Sequence, residues 1–169
     1  HADRIQGLLF HRIIEHLKDE KLQRIAYPGL AVRRITPDII KKVLSGPCRL
    51  GDVNDAEARR LFDLLRSRLD LVVFDSTDGS LTCRSDIRRL VMPTLRDAHF
   101  DTASEIHRQA IAYYLPLGKA NERAEEIYHR LQLGQDREEI DKRWIPGVEE
   151  FLSNALEELD DSGKIYLAN

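Results

Sequence analysis

Residues 71–84 have the sequence LVVFDSTDGSLTCR, and this stretch decides the fold because it interrupts an otherwise helical pattern. Residues 71–74 are rich in valine and predict a short β-strand. Residues 77–80 contain Asp78-Gly79, a pair typical of tight hairpin turns. Residues 81–84 return as a second strand, so the stretch predicts one β-hairpin.

Helical patterns surround this hairpin. Apolar residues recur at helical spacing in residues 3–17, 21–26, 37–44 and 55–69, and again from 85 toward 95. Residues 30–35 are apolar and fit either a strand or a helical turn. The order of helices and hairpin predicts a winged-helix domain over residues 18–97, in which three helices form the core and the hairpin is the wing.

Polar residues at the helix starts support these boundaries. Thr36 precedes Pro37, and Asn54 stands three residues before Glu57, the spacing of a capping box. Ser85 is predicted to cap the helix after the hairpin, with Asp86 favouring its positive end. The buried face of residues 55–69 is predicted to comprise Ala58, Leu61, Phe62, Leu65 and Leu69.

Residues 98–169 contain only helical patterns, separated by Pro116, Gly118 and Gly134. Short helices joined by tight turns predict an antiparallel helical array. The predicted fold class is therefore mainly α, with a winged-helix domain followed by this array.

Charge differs between the two parts. Up to Ala98 there are 18 Lys+Arg against 14 Asp+Glu, giving +4, and the remainder has 8 against 15, giving −7. The overall charge of −3 provides no global attraction to nucleic acid.

The two cysteines form no CxxC pair and predict buried thiols in a reducing cytoplasm. There is neither a signal peptide nor an apolar run long enough for a membrane span. The chain begins His1-Ala2 and is interpreted as an excised fragment.

Catalytic and metal-binding patterns are missing from the sequence. His11 and His16 are five residues apart, which does not match the i,i+4 spacing of zinc ligands on a helix. His99, His107 and His129 fall on different predicted elements, and His129 is expected to be a surface residue or an interhelical hydrogen-bonder. No nucleophile elbow is present. We therefore predict that the chain is not an enzyme and holds no metal.

Paired glutamates are expected on solvated helix faces, where they cannot act as general acids or bases. The pairs are Glu125-Glu126, Glu138-Glu139 and Glu157-Glu158.

DNA binding is the alternative function. The helix at 55–69 corresponds in position to the recognition helix of DNA-binding winged helices, and its candidate contacts are Arg59, Arg60 and Arg66, with Arg68 at its end. Acidic residues lie among them, and Arg59 can pair with Asp63 at i,i+4. The wing tip, Asp78-Gly79, is also acidic, which argues against phosphate contact.

Three segments carry a resemblance to a known family. AYPGL at 26–30, RRITP at 33–37 and DIRR at 86–89 resemble the winged-helix segment of bacterial STAND-type (AAA/NB-ARC-like) P-loop ATPases, which are signalling proteins. Residues 107–114 and 124–131 are similar to the tetratricopeptide-like region that follows it. The resemblance implies an ATPase core before residue 1, with ATP or ADP as the parent protein's ligand. It implies no cofactor for this chain, which contains no GxxxxGK[ST] sequence.

The resemblance is incomplete after the wing. These ATPases often carry Met-His-Asp there, with the histidine at the ADP phosphate, whereas this chain has Arg84-Ser85-Asp86. Asp86 matches the family aspartate, and Ser85 cannot supply an imidazolium. The resemblance therefore implies a non-catalytic regulatory segment, whose partners are the ATPase domain and an unidentified protein on the helical array.

The first helix has a wide apolar stripe. Its apolar residues are Ile5, Leu8, Leu9, Phe10, Ile13, Ile14 and Leu17. This apolar stripe is wider than the face that one neighbouring element would cover. We expect residues 1–17 to be a linker helix from the ATPase that folds back on the helical array or mediates self-association.

Overall fold

The computed structural model describes the backbone of residues 2–168 and the side chains of residues 7–156 and 158–168. The predicted class, mainly α, is confirmed: the fold is 65% helix and 6% strand. The described residues form two compact units, which we call unit 1 (up to Ile106) and unit 2 (from His107). The boundary falls within one helix, Phe100–Tyr114.

Up to residue 99, unit 1 contains five helices, two short helical turns and three strands in its described part. In chain order they are α1 (Ala2–Glu15), α2 (Glu20–Ala26), a 3-10 turn (Gly29–Ala31), β1 (Arg34–Ile35), α3 (Pro37–Ile39) with its π-helical continuation (Ile40–Leu44), α4 (Asp55–Arg66), β2 (Val72–Asp75), β3 (Ser80–Cys83) and α5 (Ser85–Ala98).

The strands form one antiparallel sheet in the order β1-β3-β2. The predicted hairpin is confirmed, with Val72 opposite Cys83 and Asp75 opposite Ser80. Gly79 has a φ of +73°, which glycine adopts without steric cost, and its N–H donates to the Asp75 carbonyl. The sequence of residues 30–35 fitted either a strand or a helical turn. The structure has a 3-10 turn there, followed by β1.

Helix α4 presents most of its predicted face to the core of unit 1. Ala58, Leu61, Phe62 and Leu65 are all buried, and the Asn54 side chain accepts from the Glu57 N–H at 2.8 Å. The placement of Leu69 on this face was wrong. The helix ends at Arg66, so Leu69 follows in the loop and is 76% exposed.

Helix α1 packs against α5 and α2 within unit 1. Phe10 and Ile14 are buried, as is Leu17 just beyond the helix, whereas Leu8 and Leu9 are exposed. The predicted stripe is therefore only partly covered inside unit 1. Ile5, also assigned to the stripe, lies outside the described side chains.

Unit 2 is entirely helical in its described part. It contains the second half of α6 (Phe100–Tyr114), then α7 (Ala120–Gln132), α8 (Arg137–Asp141), α9 (Val148–Leu152), a 3-10 stretch (Ser153–Glu158) and α10 (Asp161–Ala168). Its core surrounds α7 and includes Ile127, Tyr128, Leu131 and Ile140. None of the described helices is long and apolar enough to cross a membrane.

Candidate functional site

The predicted recognition helix and hairpin lie together in unit 1, since α4 packs against β2. The three candidate arginines all belong to α4, and each already has an intramolecular partner. Arg60 donates to Glu57 at 2.6 Å and to Asp19 at 2.8 Å. Two carboxylates therefore neutralise this guanidinium, and they hold the pKa of Arg60 above its usual value.

Arg59 and Arg66 contact different partners. Arg59 lies 3.6 Å from the Asp63 carboxylate, which is the i,i+4 pair expected from the sequence. The Arg66 guanidinium carbon lies 3.8 Å from the centre of the Phe74 ring, a cation–π contact with β2. Arg68, beyond the helix end, pairs with Asp70 at 2.8 Å. Arg59, Arg60 and Arg68 thus each lie beside a carboxylate, whereas Arg66 keeps its positive charge against the Phe74 ring.

The hairpin tip is also occupied by ion pairs. Arg34 on β1 contacts Asp75 at 3.1 Å and Asp78 at 2.9 Å, and it also donates to the Ser80 hydroxyl. Hydrogen bonds from Thr77 and Arg34 lower the pKa of Asp75. The tip therefore stays acidic and is tied back to the first strand of the sheet.

Apolar side chains are exposed in the same segment. Leu64 on α4, Leu69 in the following loop, and Val73 and Phe74 on β2 are all exposed. We call the exposed side of residues 59–74 the 59–74 surface. It combines charged with apolar side chains, and Val73 and Phe74, as successive residues of β2, point to opposite faces of the sheet.

The segment after the hairpin differs from its predicted role. Ser85 was expected to cap α5, and this was wrong: Ser85 is the first residue of the helix, and the capping position belongs to Arg84. Asp86 lies in the first turn as expected, where it pairs with Arg84 at 2.9 Å. Ser85 and Asp86 are both solvent-exposed.

Arg88 was not singled out as a site residue from the sequence, and it joins the segments that carry the family resemblance. Its guanidinium donates to the carbonyls of Leu30, Ala31 and Val32 at 2.7, 3.2 and 3.0 Å, and the side chain is 8% exposed. The first arginine of the DIRR sequence thus fastens α5 to the end of the AYPGL segment and the two residues after it. A role in folding accounts for these residues without any ligand.

The two cysteines are buried thiols, as predicted. Burial raises the pKa of Cys48 to about 12 and that of Cys83 to about 11. Both remain protonated at neutral pH and are poor nucleophiles. Within the described residues, no three His, Cys, Asp or Glu side chains are grouped so that they could hold a metal ion.

Unit 2 contains a buried charge cluster that contradicts one expectation. Glu125 and Glu126 were placed on a solvated face, yet they are 4% and 0% exposed. Glu126 accepts from Arg130 at 2.8 Å and from Arg143 at 2.8 Å, and Arg123 lies 3.6 Å away. Burial alone would raise the pKa of Glu126, but the hydrogen bonds from Arg143 and Arg130 outweigh it and lower that pKa.

The other two glutamate pairs differ from Glu125-Glu126 in their exposure to solvent. Glu138 and Glu139 on α8 are exposed as expected, and Glu139 pairs with Lys142. Glu158 is half-buried, and Glu157 lies outside the described side chains. The spacing of Arg123, Glu126 and Arg130 at i−3 and i+4 could have indicated the cluster. Arg143 could not have been assigned from spacing, since it follows α8.

Two histidines meet inside unit 2. His107 and His129 have their Nδ1 atoms 2.8 Å apart, and both rings are buried. This agrees with the expectation that His129 is an interhelical hydrogen-bonder. The sequence placed them on different elements, which is correct, but helix packing brings them together.

A small cavity of about 160 Å³ lies beside α10, lined by residues that include Arg137, Ile140, Gly163 and Tyr166. The Tyr166 hydroxyl donates to Asp141 at 2.7 Å, and burial together with this bond raises the pKa of Tyr166. Ligand pockets are ordinarily about 300–1,000 Å³, so this cavity admits only a small group.

No protein-family model, curated protein or solved structure matches this chain.

Proposed function

We propose that this chain is a non-catalytic regulatory segment that acts by protein contact, with a winged-helix unit followed by a helical partner-binding unit. The observation that carries this proposal is the 59–74 surface, where all three candidate DNA-contact arginines have intramolecular partners while Leu69 is 76% and Val73 53% exposed. A surface of this kind favours protein contact because DNA affinity depends on positive charge that is not cancelled.

The winged-helix assignment rests on topology. The order of elements from α2 to β3, with a sheet ordered β1-β3-β2, is what a winged helix requires, and α4 then takes the position of the third core helix. Fold alone does not determine function, because winged helices serve both DNA and protein recognition. The carboxylate partners of Arg59 and Arg60 support the proposal of protein contact over DNA binding.

The resemblance to STAND-type ATPases supplies the partner in this proposal. In that arrangement unit 1 packs on a P-loop ATPase core in one state and releases it in another, and unit 2 receives the signal by binding a protein. ATP or ADP belongs to the core. The serine at position 85 supports a segment that does not itself contact the nucleotide.

Two measurements test this function. Isothermal titration of the chain with ATP and with ADP should give no binding in the micromolar range, and tight binding or hydrolysis would contradict it. Adding the chain to the ATPase core proposed to precede it should change the rate of ATP hydrolysis. Leu69→Asp should abolish that change, whereas Ile165→Asp, at an exposed position in unit 2, should preserve it. A rate unaffected by the wild-type chain would remove the regulatory assignment.

A further inference from the structure

The His107–His129 pair is enclosed on several sides within unit 2. His107 on α6 is 5% exposed and His129 on α7 is 1% exposed. The Tyr114 ring lies nearly parallel to the His129 ring at a centroid distance of 6.4 Å, and the Tyr128 ring meets it edge-on at 5.1 Å. Water therefore has little access to the two facing nitrogens.

The short distance between the nitrogens fixes the protonation of the pair. A neutral imidazole has one N–H donor and one acceptor nitrogen, so one Nδ1 must donate and the other must accept at 2.8 Å. A first added proton can go to the Nε2 of the donating ring and leave this hydrogen bond intact. A second must go to the accepting Nδ1, where it would set one N–H against another. The native pair therefore holds at most one added proton.

We propose that this pair is a pH-sensitive lock between α6 and α7, closed at neutral pH and opened when the second imidazole is protonated. This proposal does not depend on the proposed function.

Other ionisable groups lie near the pair. Glu125 lies one turn before His129 on α7, and phenols face the pair from both helices, Tyr114 on α6 and Tyr128 on α7. Glu126, also on α7, stays ionised because Arg143 and Arg130 lower its pKa. The two imidazoles carry the proposed response because their facing nitrogens, 2.8 Å apart, cannot both be protonated in the native pair.

Linkage gives the size and the sign of the effect. In the unfolded chain both histidines titrate near pH 6.5 and together bind two protons, whereas the native pair binds at most one. The unfolded state then binds more protons, so the stability contributed by the pair is complete above about pH 6.5 and falls as the pH falls. With a difference of one proton, the unfolding constant rises about tenfold per pH unit below this value.

Urea unfolding followed by Trp144 fluorescence tests this proposal, since the only tryptophan packs on the core of unit 2. His107→Asn is the diagnostic variant because its Oδ1 branches from Cγ as Nδ1 does and can accept from a protonated His129. His16→Asn, at an exposed position, is the matched control. From pH 6 to pH 5 the unfolding constant should rise about tenfold in the wild type and the control, but less than about threefold in His107→Asn. Equal rises in all three would overturn the proposal.

Nitrogen NMR of the wild type provides a test that needs no variant. We expect two separate protonation steps, the first with the Nδ1–H···Nδ1 bond retained and the second together with loss of the α6–α7 contacts. Protonation of both rings in a single step, with the native contacts retained, would contradict the lock.

Discussion

The two units bury charge in different ways. In unit 1 the buried Arg88 donates to three backbone carbonyls of residues 30–32. In unit 2 the buried Glu126 is surrounded by three arginine side chains. The first arrangement fastens two distant parts of the backbone, whereas the second depends on side chains that must all stay charged.

This difference determines what each interior tolerates. The core of unit 1 depends mainly on apolar packing, so loss of volume should be its most damaging change. The core of unit 2 combines packing with electrostatics, so loss of a single charge should be damaging even where little volume is lost. Substitutions in the two units can therefore separate the two contributions.

Leu65→Ala should have the largest effect. Leu65 is completely buried against the core of unit 1, and truncation at such a site costs roughly 2–5 kcal/mol. Leu69→Ala, three-quarters exposed, is the control and should leave stability unchanged. Hydrogen exchange of residues 55–83 would measure both. Similar protection in the two variants would mean that the packing of α4 is misassigned.

Glu126→Ala should destabilise unit 2 by about 3 kcal/mol, because removing one partner leaves the arginines without their common anion. This value is at the low end for buried pairs because the side chains of Arg123 and Arg143 are 14% and 27% exposed. Trp144 fluorescence during urea unfolding would report the change, with Glu139→Ala on α8 as the exposed control. A shift no larger than that of Glu139→Ala would contradict the electrostatic account of unit 2.

Arg88→Met should cost about 2 kcal/mol, since the buried carbonyls of residues 30–32 lose their donor while most of the side-chain volume is kept. Arg89→Met changes an exposed neighbour and should be neutral. Hydrogen exchange in α5 and in residues 26–35 would locate the effect. Loss of protection confined to α5 would show that the guanidinium does not hold the 30–32 segment.

The sequence was sufficient to predict the hairpin, because an Asp-Gly turn between two short β-prone runs is a local signal. It also predicted the buried face of α4 as far as Leu65, because helical periodicity determines which residues share a face. It failed at Leu69 and Ser85 because helix ends depend on capping geometry that periodicity does not resolve.

Tertiary contacts account for the remaining differences. The spacing around Glu126 contained a signal that was interpreted as a solvated face, because i,i+4 pairs occur most often on surfaces. The contacts of Arg88 with residues 30–32, and of His107 with His129, join positions far apart in the chain. No local pattern specifies such contacts, so these features required the folded structure.

The most direct test of the central claim compares DNA binding by the wild type with that of an Arg59→Ala, Arg60→Ala, Arg66→Ala variant. Fluorescence anisotropy with duplex DNA at about 50 mM salt is the measurement, because low salt favours phosphate contacts. If the 59–74 surface binds protein, wild-type binding should be weaker than about 10 µM and unchanged in the triple variant, as expected for residual non-specific attraction. Submicromolar binding that weakens at least tenfold in the variant and falls steeply with salt would contradict the account and establish the DNA-binding alternative.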